Sequence, residues 1–315
     1  MKRIVALISV LLFCGGLCSA QKVRFVPQWT PQSQFAGFYM AFEKGFYAEE
    51  GLDVVIEHVG PHSIASAQDL LVDGSADIIT QQLLQSIVSS TDGRPMVNVM
   101  QITQKSGLCC VNRGPIGDIS DLEGKKVGRW KSGFSELSDI AVYSKGVNID
   151  WVPLFNGTSY FVYGAIDAAL CYSYSELIAL ELAIGDIPED NVLWFDSAVG
   201  GCPEDGLWVT PEYFEKNRET VEKFVRATKR GWDYARENRS ETVDVVMKYV
   251  EDAHVVTNRT TQVLMLDEYL DLQVNPKTGL PDYSRASKPV YERLADKLLK
   301  CGYITYIPKY EDLVR

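Results

Sequence analysis

Residues 29–54, WTPQSQFAGFYMAFEKGFYAEEGLDV, restrict the fold more than any other stretch of the chain. They follow a short apolar strand (Val23, Phe25, Val26) and open with Trp29, Gln32 and Gln34. Phe35, Phe38, Phe42 and Phe46 then recur at three- and four-residue steps, the helical period, and predict one buried face. Gly51 ends that pattern ahead of DVVIEHV, a second strand. A strand, a helix and a second strand make a parallel unit with a right-handed crossover. In open parallel sheets small ligands bind beyond the carboxyl ends of the strands. Trp29, Gln32 and Gln34 stand at such an end, and an indole beside amides suits a flat ring with hydrogen-bonding edges.

The alternation continues. Further strands are predicted at 53–59, 76–80, 96–102 and 108–111, with helices at 64–72 and 83–90 between them. A second lobe is expected from residue 112, with strands at 126–130, 149–153, 167–171 and 192–195 and helices at 135–145 and 175–184. Gly200-Gly201-Cys202-Pro203 breaks the pattern and marks the return. The division is therefore 21–111 with 207–315 for lobe 1 and 112–206 for lobe 2. Thr210-Pro211 opens a helix with a hydroxyl cap and a proline in the first turn, and Asn217 is expected to cap the next. The latter carries Val221, Phe224, Val225, Thr228 and Trp232 at core spacing. Helices at 242–250 and 288–300 follow. Two chain crossings between lobes make a hinge that can close on a ligand.

The same stretch resembles the opening of the solute-binding proteins of ABC importers related to thiamine pyrimidine synthase. Those proteins read W-x-P-Q-x-x-F-A-G-Y/F-Y-x-A, then E-K-G-F/Y-Y and E-E-G-L-D-V. The likeness runs on through DLEGKKVGRW, DAALCYSYSEL, EDGLWVTPEYF and KFVRATKRGWDYA in the family's order. The resemblance implies an α/β fold: a two-lobed periplasmic binding protein of type II. Each lobe would be a mostly parallel sheet flanked by helices, with the ligand cleft between the lobes. It also implies transport rather than catalysis, an ABC permease in the inner membrane as partner, and a monomer. The ligands implied are thiamine pyrimidine precursors or a riboflavin-like flavin.

Residues 1–20, MKRIVALISVLLFCGGLCSA, have the basic start, apolar centre and small-residue end of a signal peptide cleaved near Ala20. An extracytoplasmic, periplasmic location follows. Bulky Phe13 and Leu17 precede Cys14 and Cys18 and argue against a lipid anchor. A net charge of −11 disfavours nucleic acid and anionic membrane as partners. Past the leader stand Cys109, Cys110, Cys171, Cys202 and Cys301, with no C-x-x-C spacing, and His58, His62 and His254. That inventory gives no zinc-site spacing, and most of the cysteines read as buried filler.

Several further groups fall at strand carboxyl ends. Gln81-Gln82 follow the strand at 76–80 and can reach the donor and acceptor edges of a ring. Trp130 is the expected opposite jaw to Trp29. Tyr172, Tyr174 and Glu176 close the strand at 167–171 and resemble the family's M-x-Y-N-E segment. Glu204-Asp205-Gly206 match its E-D-G turn, with Asp205 a possible acceptor for a ligand amino or hydroxyl group. No G-x-S-x-G elbow, G-x-G-x-x-G or Walker pattern occurs, so no cofactor is expected.

The alternative is a synthase making the pyrimidine of thiamine. Such enzymes hold pyridoxal phosphate on a lysine and consume a histidine four residues later. Alignment through Gly74 and Asp77 puts Gln81 and Gln85 at those two places. A glutamine side chain can neither form a Schiff base nor donate an imidazole. The synthases' C-C-C-F-C run is replaced here by GGCPEDG.

Overall fold

The computed structural model describes residues 20–131, 133–154 and 157–315; the predicted leader up to residue 19 lies outside them. Two five-stranded sheets make the frame. The first contains β1 (Gln21–Val26), β2 (Leu52–Ile56), β3 (Ile78–Gln82), β4 (Val97–Gln101) and β10 (Asp205–Val209), in the order β2-β1-β3-β10-β4. The second contains β5 (Leu108–Asn112), β6 (Lys126–Trp130), β7 (Asp150–Leu154), β8 (Ala168–Tyr172) and β9 (Val192–Trp194), in the order β7-β6-β8-β5-β9.

β2, β1 and β3 run parallel, with Val23 opposite Val54 and Phe25 opposite both Ile56 and Ile78. Val23, Phe25, Ile78 and Ile79 are fully buried because helices cover both faces of the sheet. β10 runs antiparallel between β3 and β4, so each sheet is mixed rather than wholly parallel.

The sequence reading needs four corrections. The strand expected at 108–111 in lobe 1 belongs to the second sheet, where β5 pairs antiparallel with β8 and β9. The chain therefore crosses at 102–107, not near residue 112, and its return is complete at Asp205, the first residue of β10. Strand composition reports burial; only pairing decides which sheet a strand joins. Phe42 is 43% exposed, because the helix Ala36–Glu43 ends there and Gly45 (φ 73°) turns the chain away. Asn217 does not cap: its Nδ2 donates back to the Tyr213 carbonyl at 3.2 Å. Thr210 does, accepting from the Tyr213 N–H at 3.1 Å. The fourth correction concerns omissions: β10 and the helix Arg259–Leu272 went unread, and that helix packs against the turn Ser33–Phe35 and the turn Ser173–Leu177.

The two crossings run side by side and are pinned to each other. Thr103 Oγ1 accepts from the backbone N–H groups of Glu204 and Asp205 at 3.0 and 3.1 Å. Asp196 Oδ1 accepts from the N–H groups of Ser106 and Cys202 at 2.9 and 2.7 Å. Cys109, Cys110, Cys171 and Cys202 are free and buried, and Cys301 is half-buried. No helix among the described residues is long and apolar enough to cross a membrane.

Candidate functional site

The carboxyl ends of β1 and β3 in one lobe face those of β6 and β8 in the other across a chamber that both lobes line. Lobe 1 contributes Trp29, Gln32, Gln34 and Gln82 to its lining. Lobe 2 contributes Trp130, Tyr172, Tyr174 and Glu176. Eight of the residues singled out from the sequence thus border one space. Gln28, Phe134 and Ser175 border it too and were not foreseen. Gln28 adjoins Trp29 at the end of the same strand, which is the signal that could have found it.

Aromatic rings form the lobe 2 wall. Trp130 stacks on Tyr172 with centroids 5.1 Å apart, and Tyr172 on Tyr174 at 5.3 Å. Phe134 lies edge-on between the two jaws, 6.1 Å from Trp29 and 6.2 Å from Trp130. It holds φ at 61°, a region that bulky side chains avoid. The helical turn at Ser173–Leu177, with π-type hydrogen bonding, folds Glu176 back onto its own strand. There Glu176 accepts from the Tyr172 N–H at 3.0 Å and from Trp130 Nε1 at 3.3 Å. Burial pushes its pKa upward.

Trp29 is set from behind by His58. The Trp29 carbonyl can only accept, so His58 Nδ1 carries the proton and donates to it at 2.6 Å. Nε2 then accepts from the Tyr39 hydroxyl at 2.8 Å. Burial lowers the His58 pKa to about 4, keeping the ring neutral. Across the floor, Gln82 Nε2 donates to the Tyr172 hydroxyl at 2.7 Å and ties one lobe to the other.

Two predicted residues sit elsewhere. Gln81 does not line the chamber; it is buried, and its main-chain carbonyl accepts from Trp208 Nε1 at 2.9 Å. With Gln85 it borders a wider outer cleft that Trp29 and Trp130 also border. Asp205 does not line the chamber. Its two oxygens accept from Gln28 Nε2 at 2.8 Å, Gln34 Nε2 at 2.7 Å and the Tyr269 hydroxyl at 2.7 Å, so protein donors engage both of them. Tyr269 belongs to the helix Arg259–Leu272, which also fixes Ser33 through Gln262. Among the described lining residues there is no lysine, arginine or histidine.

The profile of the family described as NMT1/THI5 like matches residues 32–242, well over half of the chain. The chain belongs to that family. Among its curated relatives is the riboflavin-binding protein RibY of Chloroflexus aurantiacus, 25% identical over 268 residues, which cover 82% of this chain and 75% of RibY. Another is the 4-amino-5-hydroxymethyl-2-methylpyrimidine phosphate synthase THI5 of Saccharomyces cerevisiae, 25% identical over 231 residues (69% of this chain and 67% of THI5). Among solved structures, the periplasmic aliphatic sulphonate binding protein SsuA of Escherichia coli superposes with a TM-score of 0.69 at 15% identity, over 94% of this chain and 92% of SsuA. That likeness establishes the fold of periplasmic binding proteins, two α/β lobes about a cleft.

Proposed function

We propose that this NMT1/THI5 like protein is an extracytoplasmic solute-binding protein that captures a small, uncharged, flat heteroaromatic compound between its lobes and delivers it to an ABC permease. The observation behind this reading is the interlobe chamber, walled by stacked rings and amides and free of cationic side chains among the described lining residues. Stacking each ring face contributes about 0.5–1.5 kcal/mol beyond the area buried, so opposed faces and an amide edge act together. Sulfonates and nitrate-type anions would enter beside Glu176 with no countercharge, and are disfavoured. Riboflavin and 4-amino-5-hydroxymethyl-2-methylpyrimidine remain as ligands, and the name of the RibY relative supports the first. Transport is favoured over synthesis because Gln81 and Gln85 offer neither an amine for a Schiff base nor an imidazole to consume.

Titration with riboflavin or with that pyrimidine is expected to quench tryptophan fluorescence, since Trp29 and Trp130 border the chamber. Trp130→Ala should weaken the binding by roughly 10- to 100-fold, the range for losing a packed aromatic anchor. Taurine should not bind. Tight taurine binding with no response to either ring compound would overturn the assignment.

A further inference from the structure

Asp205 accepts from two glutamines that border the chamber and does not border it itself. All three side chains that meet its carboxyl oxygens do so as donors, so each amide among them presents nitrogen. Gln28 and Gln34 both do so, through Nε2 at 2.8 and 2.7 Å. Gln34 Oε1 is left to accept from Gln32 Nε2 at 2.6 Å, and this fixes the next amide in turn. One consequence is left open. Gln28 Oε1 is buried and has no protein partner, although Gln28 lines the chamber. A buried carbonyl oxygen without a donor is costly, so such a position calls for one from the occupant. On the opposite wall, the Tyr172 hydroxyl already accepts from Gln82, so its own proton remains to be donated.

We propose that Asp205 is a positioning residue for ligand selectivity: it holds the Gln28 amide nitrogen toward itself and leaves the Gln28 oxygen as the acceptor without a protein donor, so that the site selects rings that present an N–H donor to it. The ligand class is then an uncharged flat ring with an exocyclic amine or a ring N–H on the edge facing Gln28, and an acceptor on the edge facing Tyr172. This deepens the binding-protein reading and rests on it.

The test measures a ratio rather than an affinity. Two probe pairs are titrated into the full chain: riboflavin against 3-methylriboflavin, and 4-amino-2-methylpyrimidine against its 4-dimethylamino analogue. In each pair the second member has lost the donor. Wild type should prefer the donor-bearing member by about tenfold or more, the discrimination expected where a buried acceptor would otherwise stay unpaired. In Asp205→Asn an amide replaces the acceptor-only anchor, Gln28 is free to turn its nitrogen inward, and the preference should collapse to within about twofold of unity. Gln28→Met keeps the shape and removes the acceptor, so it should lose the preference as well, and it leaves Asp205 intact if the asparagine variant folds poorly. A purely structural role for Asp205 would weaken both members equally and leave the ratio unchanged. An unchanged ratio in both variants overturns the proposal while the binding-protein reading stands. Failure of wild type to bind any of the four probes overturns the reading beneath it, and this proposal with it.

Discussion

Gly231→Ala is expected to destabilise the protein by about 3 kcal/mol, at the upper end of what overpacking a well-filled core costs. In an isolated helix the same change would stabilise by about 1 kcal/mol, because glycine is the poorer helix former. The sign is reversed by the seam between the helices Ala36–Glu43 and Arg218–Glu237. A Cβ on Gly231 would stand 2.0 Å from the Gly37 carbonyl oxygen, 2.7 Å from Ala41 Cβ and 2.8 Å from the Ala41 nitrogen. Two of those atoms are backbone, which cannot swing aside as a side-chain tip can. Gly37 is crowded likewise, with the Trp232 ring 2.1 Å from where its Cβ would be. The two helices therefore touch backbone to backbone, and moving them apart would open the layer covering β1 and disturb the turn that aims Gln34. Urea unfolding of wild type, Gly231→Ala and the partly exposed control Lys229→Ala decides the matter. A Gly231→Ala protein as stable as wild type would refute the close seam.

What could be read in the sequence follows from where each signal originates. The alternation of strands and helices was visible because short segments such as β1, with Val23, Phe25 and Val26, and β3, with Ile78 and Ile79, carry apolar residues between turn signals, and those signals are local. Trp29, Gln34, Trp130 and Tyr172 could be placed because each lies at the carboxyl end of a strand or in the turn that follows one, and the parallel architecture turns such ends toward one cleft. Relations between distant segments were not visible. Whether Leu108–Asn112 joins the first or second sheet depends on pairing with β8 and β9, to which its own residues give no clue. β10 was missed because Asp205–Val209 follows directly on a glycine–proline break that reads as a turn. The helix Arg259–Leu272 was missed because it lacks a clean apolar stripe. It packs against turns from both lobes, and buries Gln262 alongside Met265, Leu266, Tyr269 and Leu270 while Leu264 is exposed. Asp205 was assigned to the ligand for a related reason. The three donors that engage it come from residues 28, 34 and 269, and only the folded chain brings them together.

Glu204→Gln should leave stability unchanged in acid and raise it by roughly 1–3 kcal/mol at neutral and alkaline pH, the cost of a buried polar group left poorly paired. Glu204 sits on the second crossing, buried and beside the first. Its Oε1 accepts from the Ser106 hydroxyl, while Oε2 has no protein partner. Burial, with Asp205 next to it and Asp196 nearby, pushes its pKa well above the ordinary carboxylate value. A group whose pKa is higher in the folded chain than in the unfolded one binds its proton more tightly when folded. Its contribution is therefore fully present below the unfolded value and is lost as pH rises through the folded one. Glutamine has the shape of the protonated acid and does not titrate, so the variant avoids that loss. The two proteins should unfold at the same temperature on the acid side and diverge progressively as pH rises, with the variant the more stable. Subtracting the two pH profiles cancels the titration of every other carboxylate. A constant difference, or one that grows toward acid, would mean that Glu204 is ionised in the folded hinge and that its partners are better than the geometry shows. Because Ser106 and Glu204 join the two crossings, the same divergence should appear in ligand affinity if the neutral acid holds the hinge in its closed geometry.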